Sequence, residues 1–264
     1  MQNSTSQNYR DLLRQLVTLI AIMAGFIVNI LSNIFPMSGL TIGEISNTIF
    51  LDVLIIPANY AFAIWGLIYL GLFALGIYQF MPAQKDDLDC RKIGYLIVLA
   101  SIAQVIWVYL FLSRLFSLSV VAMLLILLPL IYAHCQLGIA NRRVPRIKRW
   151  CLHFPISIYL GWISIATVIN LACAFDFSGW NGWGISSQLW TVMIVCAAFC
   201  IAAIMTIKFY DFAYASVTIW ALVAIAIQHW NNSLLRNTAL ILALFIILII
   251  MISHRSTKTL NNSQ

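Results

Sequence analysis

PISIYLGWISIATVIN, residues 155–170, is apolar almost throughout, yet it carries Tyr159, Trp162, Ala166 and Asn170. Those four stand at i, i+3, i+7 and i+11, which in a helix is a single stripe. A phenol, an indole, a small residue and an amide therefore share one face of an otherwise apolar segment. Hydrocarbon does not satisfy that polarity, so the stripe faces other helices or a cavity. The fold expected from this stretch is all-α, a polytopic bundle of membrane helices.

Composition agrees. Of 264 residues, 62% are hydrophobic and 9% charged, and the mean hydropathy is +0.95; soluble domains are usually about 45–50% apolar. The formal charge of +7 sits in short loops between apolar runs, where it sets membrane orientation and implies no nucleic-acid partner. The nine Trp, ten Tyr and fifteen Phe exceed what interfacial belts need, leaving aromatic rings for the interior. Cys90 lies in a loop and Cys135, Cys151, Cys173, Cys196 and Cys200 in or beside apolar runs; without metal-ligand spacing they read as packing residues.

Eight apolar runs follow one another, at about Leu12–Phe35, Ala58–Phe80, Ile93–Leu112, Phe116–Gly138, Leu152–Phe175, Gln188–Ile207, Phe212–Trp230 and Asn237–Ser253. Each is near the roughly 17–25 residues that span a bilayer. The first is too long for a signal-peptide core of about 7–15 residues and is read as a retained span. Eight spans put thirteen of the fifteen Lys and Arg on the side of the amino terminus, including Lys85, Arg143, Arg255 and Lys258, and leave only Arg114 and Arg236 opposite. By the positive-inside rule both termini are cytoplasmic, in a plasma or inner membrane; seven spans would put the basic carboxyl tail outside.

Between the first two runs, Ile42, Ile45, Ile49, Val53 and Ile56 fall on one helical face, Glu44, Asn47, Thr48 and Asp52 avoid it, and Pro57 follows. The segment is too short and too polar to span. It is either an amphipathic helix in the outer interface or a lid over a cavity. In the second outer loop, Asp176–Ser187, Trp180 and Trp183 among glycines read as interfacial anchors.

Two further helices repeat the striped pattern. Phe62, Trp65 and Tyr69 stand at i, i+3 and i+7 in the second run, as do Gln104, Trp107 and Phe111 in the third. At about 1.5 Å per residue, Trp65, Trp107 and Asn170 each lie within roughly 10 Å of the outer end of their helix. One reading is a pocket for a flat, largely apolar small molecule, with Trp65, Tyr69, Trp107, Tyr159 and Trp162 as aromatic walls and Gln104 and Asn170 as hydrogen-bonding groups. The other is helix packing, with amides bridging neighbours and Trp filling gaps.

The same stripes carry a resemblance. PANYAFAIWGLIYLGLFALGIY, residues 57–78, resembles the second helix of the TspO and peripheral-type benzodiazepine receptor family, the tryptophan-rich sensory proteins, whose pattern there is W-x-x-L-Y. Trp65 and Tyr69 keep its spacing, with Ile68 for Leu. The family's L-N-x-x-W in the third helix is met by Gln104 and Trp107. Its P-Y-x-x-W-x-x-F-A-x-x-L-N in the fifth is met by Tyr159, Trp162, Ala166 and Asn170, with Ile165 and Ile169 for Phe and Leu and with Pro155 one turn early. The resemblance covers residues 12–175 and implies a five-helix unit with a ligand cavity under the first extracytoplasmic loop. It also implies ligands of the tetrapyrrole or sterol class, and a role as sensor or transport facilitator. No basic residue follows Asn170 before Lys208, so the family's sterol-recognition pattern after the fifth helix is missing. On this reading residues 1–175 form the TspO-like unit, with 36–57 as its outer loop. Residues 176–264 add three helices that cover a lipid-facing side, extend the cavity or form a homodimer surface.

Enzymes and proton-coupled carriers need ionisable groups at depth, and this chain offers few. Asp86, Asp87 and Asp89 read as a loop, Asp176 as a helix end and Asp211 as a turn. The competing class, a membrane enzyme acting on lipid or tetrapyrrole, is disfavoured by that dearth, and no catalytic residue, metal or resident cofactor is expected beyond a tetrapyrrole-type ligand; the other alternative is a structural or regulatory subunit whose stripes only pack. His134 and His153 flank the basic loop, as ordinary interfacial residues or as a metal or proton site; His229 is interfacial or borders the pocket. The basic run Arg142–Arg149 fixes orientation and meets anionic lipid head groups, or a signalling partner.

Overall fold

The computed structural model describes the chain except for residues 1, 38, 85, 140, 141, 143, 263 and 264, and omits the side chains of 2–6 and 255–262. Lys85, Arg143 and the side chains of Arg255 and Lys258, counted in the charge split, lie outside the described residues. Nine helices occur among the described residues, with no strand: α1 (Gln2–Ile34), α2 (Ile42–Ile49), α3 (Ile64–Tyr78), α4 (Leu88–Leu112), α5 (Phe116–Leu137), α6 (Phe154–Phe177), α7 (Ser187–Phe209), α8 (Phe212–Gln228) and α9 (Ser233–Asn262). A 3-10 turn, Asn59–Ala63, leads into α3.

Among the described residues, seven helical stretches are long and apolar enough to cross a membrane, so this is an integral membrane protein. The remaining expected span, α8, has 17 residues. At about 25 Å it stands at the lower limit for a hydrocarbon core of about 30 Å. One face of the bundle carries the starts of α1 and α4, the loop before α6 and the α7–α8 turn; Phe212 meets His254 of α9 there, ring to ring at 6.1 Å. That face is called the N face below.

Helix ends depart from the apolar runs where polar residues cap them. Asp87 accepts from the amides of Asp89 and Cys90, so α4 starts at Leu88 rather than near Ile93. Asp89 is therefore not a loop residue. It is buried at 2% exposure, meeting Arg142 at 3.0 Å and Lys148 at 2.7 Å, while Asp11 takes a two-pronged bond from Arg91. Arg142 and Lys148 of the basic run thus reach a carboxylate that would otherwise be buried unpaired. Ahead of α6 the chain is already helical at Arg146 and opens into one wide turn, Arg149–His153. Pro155 follows two residues after its end, and its missing N–H cannot close the ordinary ladder.

The expected helix over Ile42–Ile56 is shorter than its periodicity suggests. A capping box between Thr41 and Glu44 starts α2, and the helix stops at Ile49. Phe50 then leaves the helical path to pack edge-on against Phe116, with centroids 4.8 Å apart, and Ile56 precedes a proline, which disfavours helix. Val53 and Ile56 are nonetheless buried, at 8% and 3% exposure. The segment is packed into the bundle and does not merely rest upon it.

Candidate functional site

The three stripes converge. Trp65 of α3, Trp107 of α4, and Trp162 and Asn170 of α6 line one small cavity with Phe62 and Phe111. Ile42 and Ser46 of α2, together with Pro57, close it on the side away from the N face. Sequence periodicity on four separate elements is thus realised as one chamber.

Asn170 is its best-connected polar group. The Trp107 indole N–H donates to Asn170 Oδ1 at 2.7 Å, and Asn170 Nδ2 donates to Ser119 Oγ at 2.9 Å. Tyr69, Gln104 and Tyr159 do not line the cavity; they form an adjoining layer. There the Tyr159 hydroxyl donates to Gln104 Oε1 at 3.3 Å, and Trp65 lies between, with ring centroids 5.9 Å from Tyr159 and 5.8 Å from Tyr69. Tyr69 Oη and Gln104 Nε2 are buried without a hydrogen-bond partner. An unmet buried polar atom costs about 1–3 kcal/mol and calls for water or a ligand group.

Free space in the chamber is about 30 Å³, enough for a water molecule and far below the roughly 300–1,000 Å³ of small-molecule sites. Ile42, Ser46 and Pro57 cover one side of it. A larger cavity, about 170 Å³, lies between α6, α7 and α8, where its lining is aliphatic apart from Tyr214 and the hydroxyls of Ser164 and Thr218. Without stacked rings or amides, it is not where the stripes lead.

Several residues escaped the sequence reading. Ser119 has no polar stripe around it; its only signal is a place one turn after Phe116 on α5. Asp211, read as part of a turn, is 4% exposed and meets His134 Nε2 at 2.9 Å, so His134 pairs with it and not with His153. His229 hydrogen-bonds to the backbone of Ile56, beside the chamber's closing segment, and burial holds its pKa below the ordinary value. Trp180 and Trp183 join Trp190 in a cluster with centroid distances of 5.3–6.0 Å. Among the described residues no group of His, Cys, Asp and Glu is placed to hold a metal.

A family model described as TSPO-like protein matches residues 15–252. The match runs past residue 175, through α7 and α8 and into α9. No curated protein and no solved structure matches the chain.

Proposed function

The chain belongs to the TSPO-like protein family, and from that premise we propose that it binds a planar hydrophobic ligand of tetrapyrrole type in the aromatic chamber, as a sensor of that ligand or a facilitator of its movement. The observation that carries the proposal is the meeting of Trp65, Trp107, Trp162 and Asn170, from three helices, under one short closing segment. Indole faces offer stacking area, the amide offers orientation, and the unmet Tyr69 Oη and Gln104 Nε2 offer polar contacts once the chamber widens. Entry requires α2 and residues 50–58 to move, because a porphyrin exceeds the present space many times over. No chemical step is assigned to the site.

The test is titration of the purified protein with protoporphyrin IX, following Trp emission in wild type and in Trp107→Phe. Saturable quenching near one ligand per chain, weakened by the substitution, supports the proposal. Linear quenching equal in both proteins removes it. The Trp180–Trp183–Trp190 cluster responds to porphyrin dissolved in the detergent, so the difference between the two proteins is the informative quantity.

One observation favours packing instead: Trp107 and Ser119 already engage both ends of the Asn170 amide. If packing is its whole role, Asn170→Ala lowers thermal stability and leaves porphyrin affinity unchanged. The orientation we propose, with both termini cytoplasmic in an inner or plasma membrane, rests on the distribution of Lys and Arg. Impermeant thiol reagents added outside are expected to label Ser186→Cys and to spare Gln7→Cys; the reverse pattern overturns the orientation.

A further inference from the structure

We infer that α8 is the latch of the chamber, holding down the segment that closes it through one face made of Trp220, Ala224 and Gln228. These stand at i, i+4 and i+8, one stripe of a helix, and each grips a different point of residues 47–61. The Trp220 indole donates to the Ala61 carbonyl at 3.1 Å, with Tyr60 edge-on to its ring at 5.0 Å. The Ala58 amide donates to the Ala224 carbonyl at 3.1 Å. Gln228 Nε2 donates to Asn47 Oδ1 at 2.6 Å, and Asn47 Nδ2 passes the chain of bonds to Asn59 Oδ1, also at 2.6 Å.

The register of these contacts points to a latch. Every gripped residue adjoins one that walls the chamber: Asn47 follows Ser46, Ala58 follows Pro57, and Ala61 precedes Phe62. Freeing the grip frees all three wall residues together. The grip is also uneven. The Ala58 bond is buried within the protein and satisfies a backbone N–H of irregular chain, whereas Gln228 and Asn59 are exposed, so water competes for the amide relay and release begins there. Beside the gripping face of α8 lies the cavity of about 170 Å³, bordered by Leu222 and Ile225 of the helix and by Ile55 of the held segment, which leaves both room to shift. The role given to α8 is thus control of access to the site proposed above.

This inference rests on the reading of the chamber as the ligand site, so its test uses no ligand. Ser46→Cys places a thiol on the chamber wall at a residue only 3% exposed, and its rate of alkylation by N-ethylmaleimide reports opening. Cys90, 3% exposed at the N face, reports loosening of the whole bundle. In the Ser46→Cys protein, Gln228→Ala with Trp220→Phe is expected to speed alkylation at position 46 about tenfold, as the loss of two hydrogen bonds implies, with Cys90 unchanged. Asn59→Ala, which cuts the relay without touching α8, is expected to give a smaller rise of the same sign. Unchanged rates at position 46 overturn the latch, and so does a parallel rise at Cys90, since α8 would then merely hold the bundle together. A rise at position 46 in a protein that binds no porphyrin keeps the latch and removes the ligand.

Discussion

The Trp107 indole N–H and the Asn170 side-chain oxygen meet at 2.7 Å, joining α4 to α6 across 63 residues of sequence. Both residues are buried. In a membrane interior such a bond has no water to replace it, although unfolded segments in lipid find other partners. A double-mutant cycle of Trp107→Phe and Asn170→Ala, measured by unfolding in mixed micelles, is expected to give a coupling of about 0.6–1.7 kcal/mol. Additivity within about 0.3 kcal/mol would show that the bond contributes nothing.

Gly71 sets how closely α3 approaches α6. A Cβ there would stand 2.9 Å from Pro155 Cβ and 3.1 Å from its Cγ, and the proline ring has no rotamer by which to yield. Gly66, five residues earlier on the same helix, has nothing within 4 Å. Gly71→Ala is expected to lose about 1–3 kcal/mol to overpacking, whereas Gly66→Ala gains up to about 1 kcal/mol from helix propensity. Thermal unfolding of the two variants in one detergent compares them directly, and shifts of the same sign and size would contradict the close approach.

What the sequence disclosed and what it hid divide along a physical line. Tyr159, Trp162 and Asn170 were legible because a helix repeats every 3.6 residues, so spacing alone puts them on one face. The spans were legible because lipid demands length and apolarity. Asp89 was misplaced in a loop because what lets it be buried, Arg142 and Lys148, lies more than fifty residues away. Phe50 ended α2 early for a similar reason: its partner Phe116 belongs to another helix. Gln228 and Asn47, 181 residues apart, show the same limit. Spacing reveals a face, while the identity of what covers that face is a tertiary fact.

His229 supplies a pH dependence whose sign is fixed by burial. Desolvation holds its pKa below the ordinary value of 6.5, only partly offset by the bond to the Ile56 backbone, and its Nε2 has no partner. Well above pH 6.5, by about pH 8, the ring is neutral in both folded and unfolded chains and contributes no pH dependence. As pH falls from there the unfolded chain takes the proton more readily, so stability declines. Glu44, whose pKa the Thr41 cap lowers, acts in a separate window: its contribution is present above the ordinary carboxylate pKa of about 4.3 and is lost as pH falls below it. Melting midpoints between pH 8 and 5 are expected to fall in wild type and to stay flatter in His229→Gln; identical profiles would remove His229 from the account.

Asp211 ties the α7–α8 turn to α5 at the N face, away from the segment that α8 grips. Its Oδ2 meets His134 Nε2 at 2.9 Å, and its Oδ1 accepts from the Tyr214 amide at 3.1 Å, capping α8. The two roles separate by substitution. Asn still caps a helix start, so Asp211→Asn removes the charge and keeps the cap; Ala removes both. Asp211→Ala is thus expected to cost about 1 kcal/mol more than Asp211→Asn, the usual worth of a cap. His134→Phe supplies the converse, because it leaves a buried carboxylate without its partner. Adding Asp211→Asn to His134→Phe is expected to recover part of the loss, as buried pairs are less harmful removed whole than halved. Equal midpoints for Asp211→Asn and Asp211→Ala would show that the cap contributes nothing. A His134→Phe protein made no more stable by Asp211→Asn would show that the pair does not hold this turn to α5.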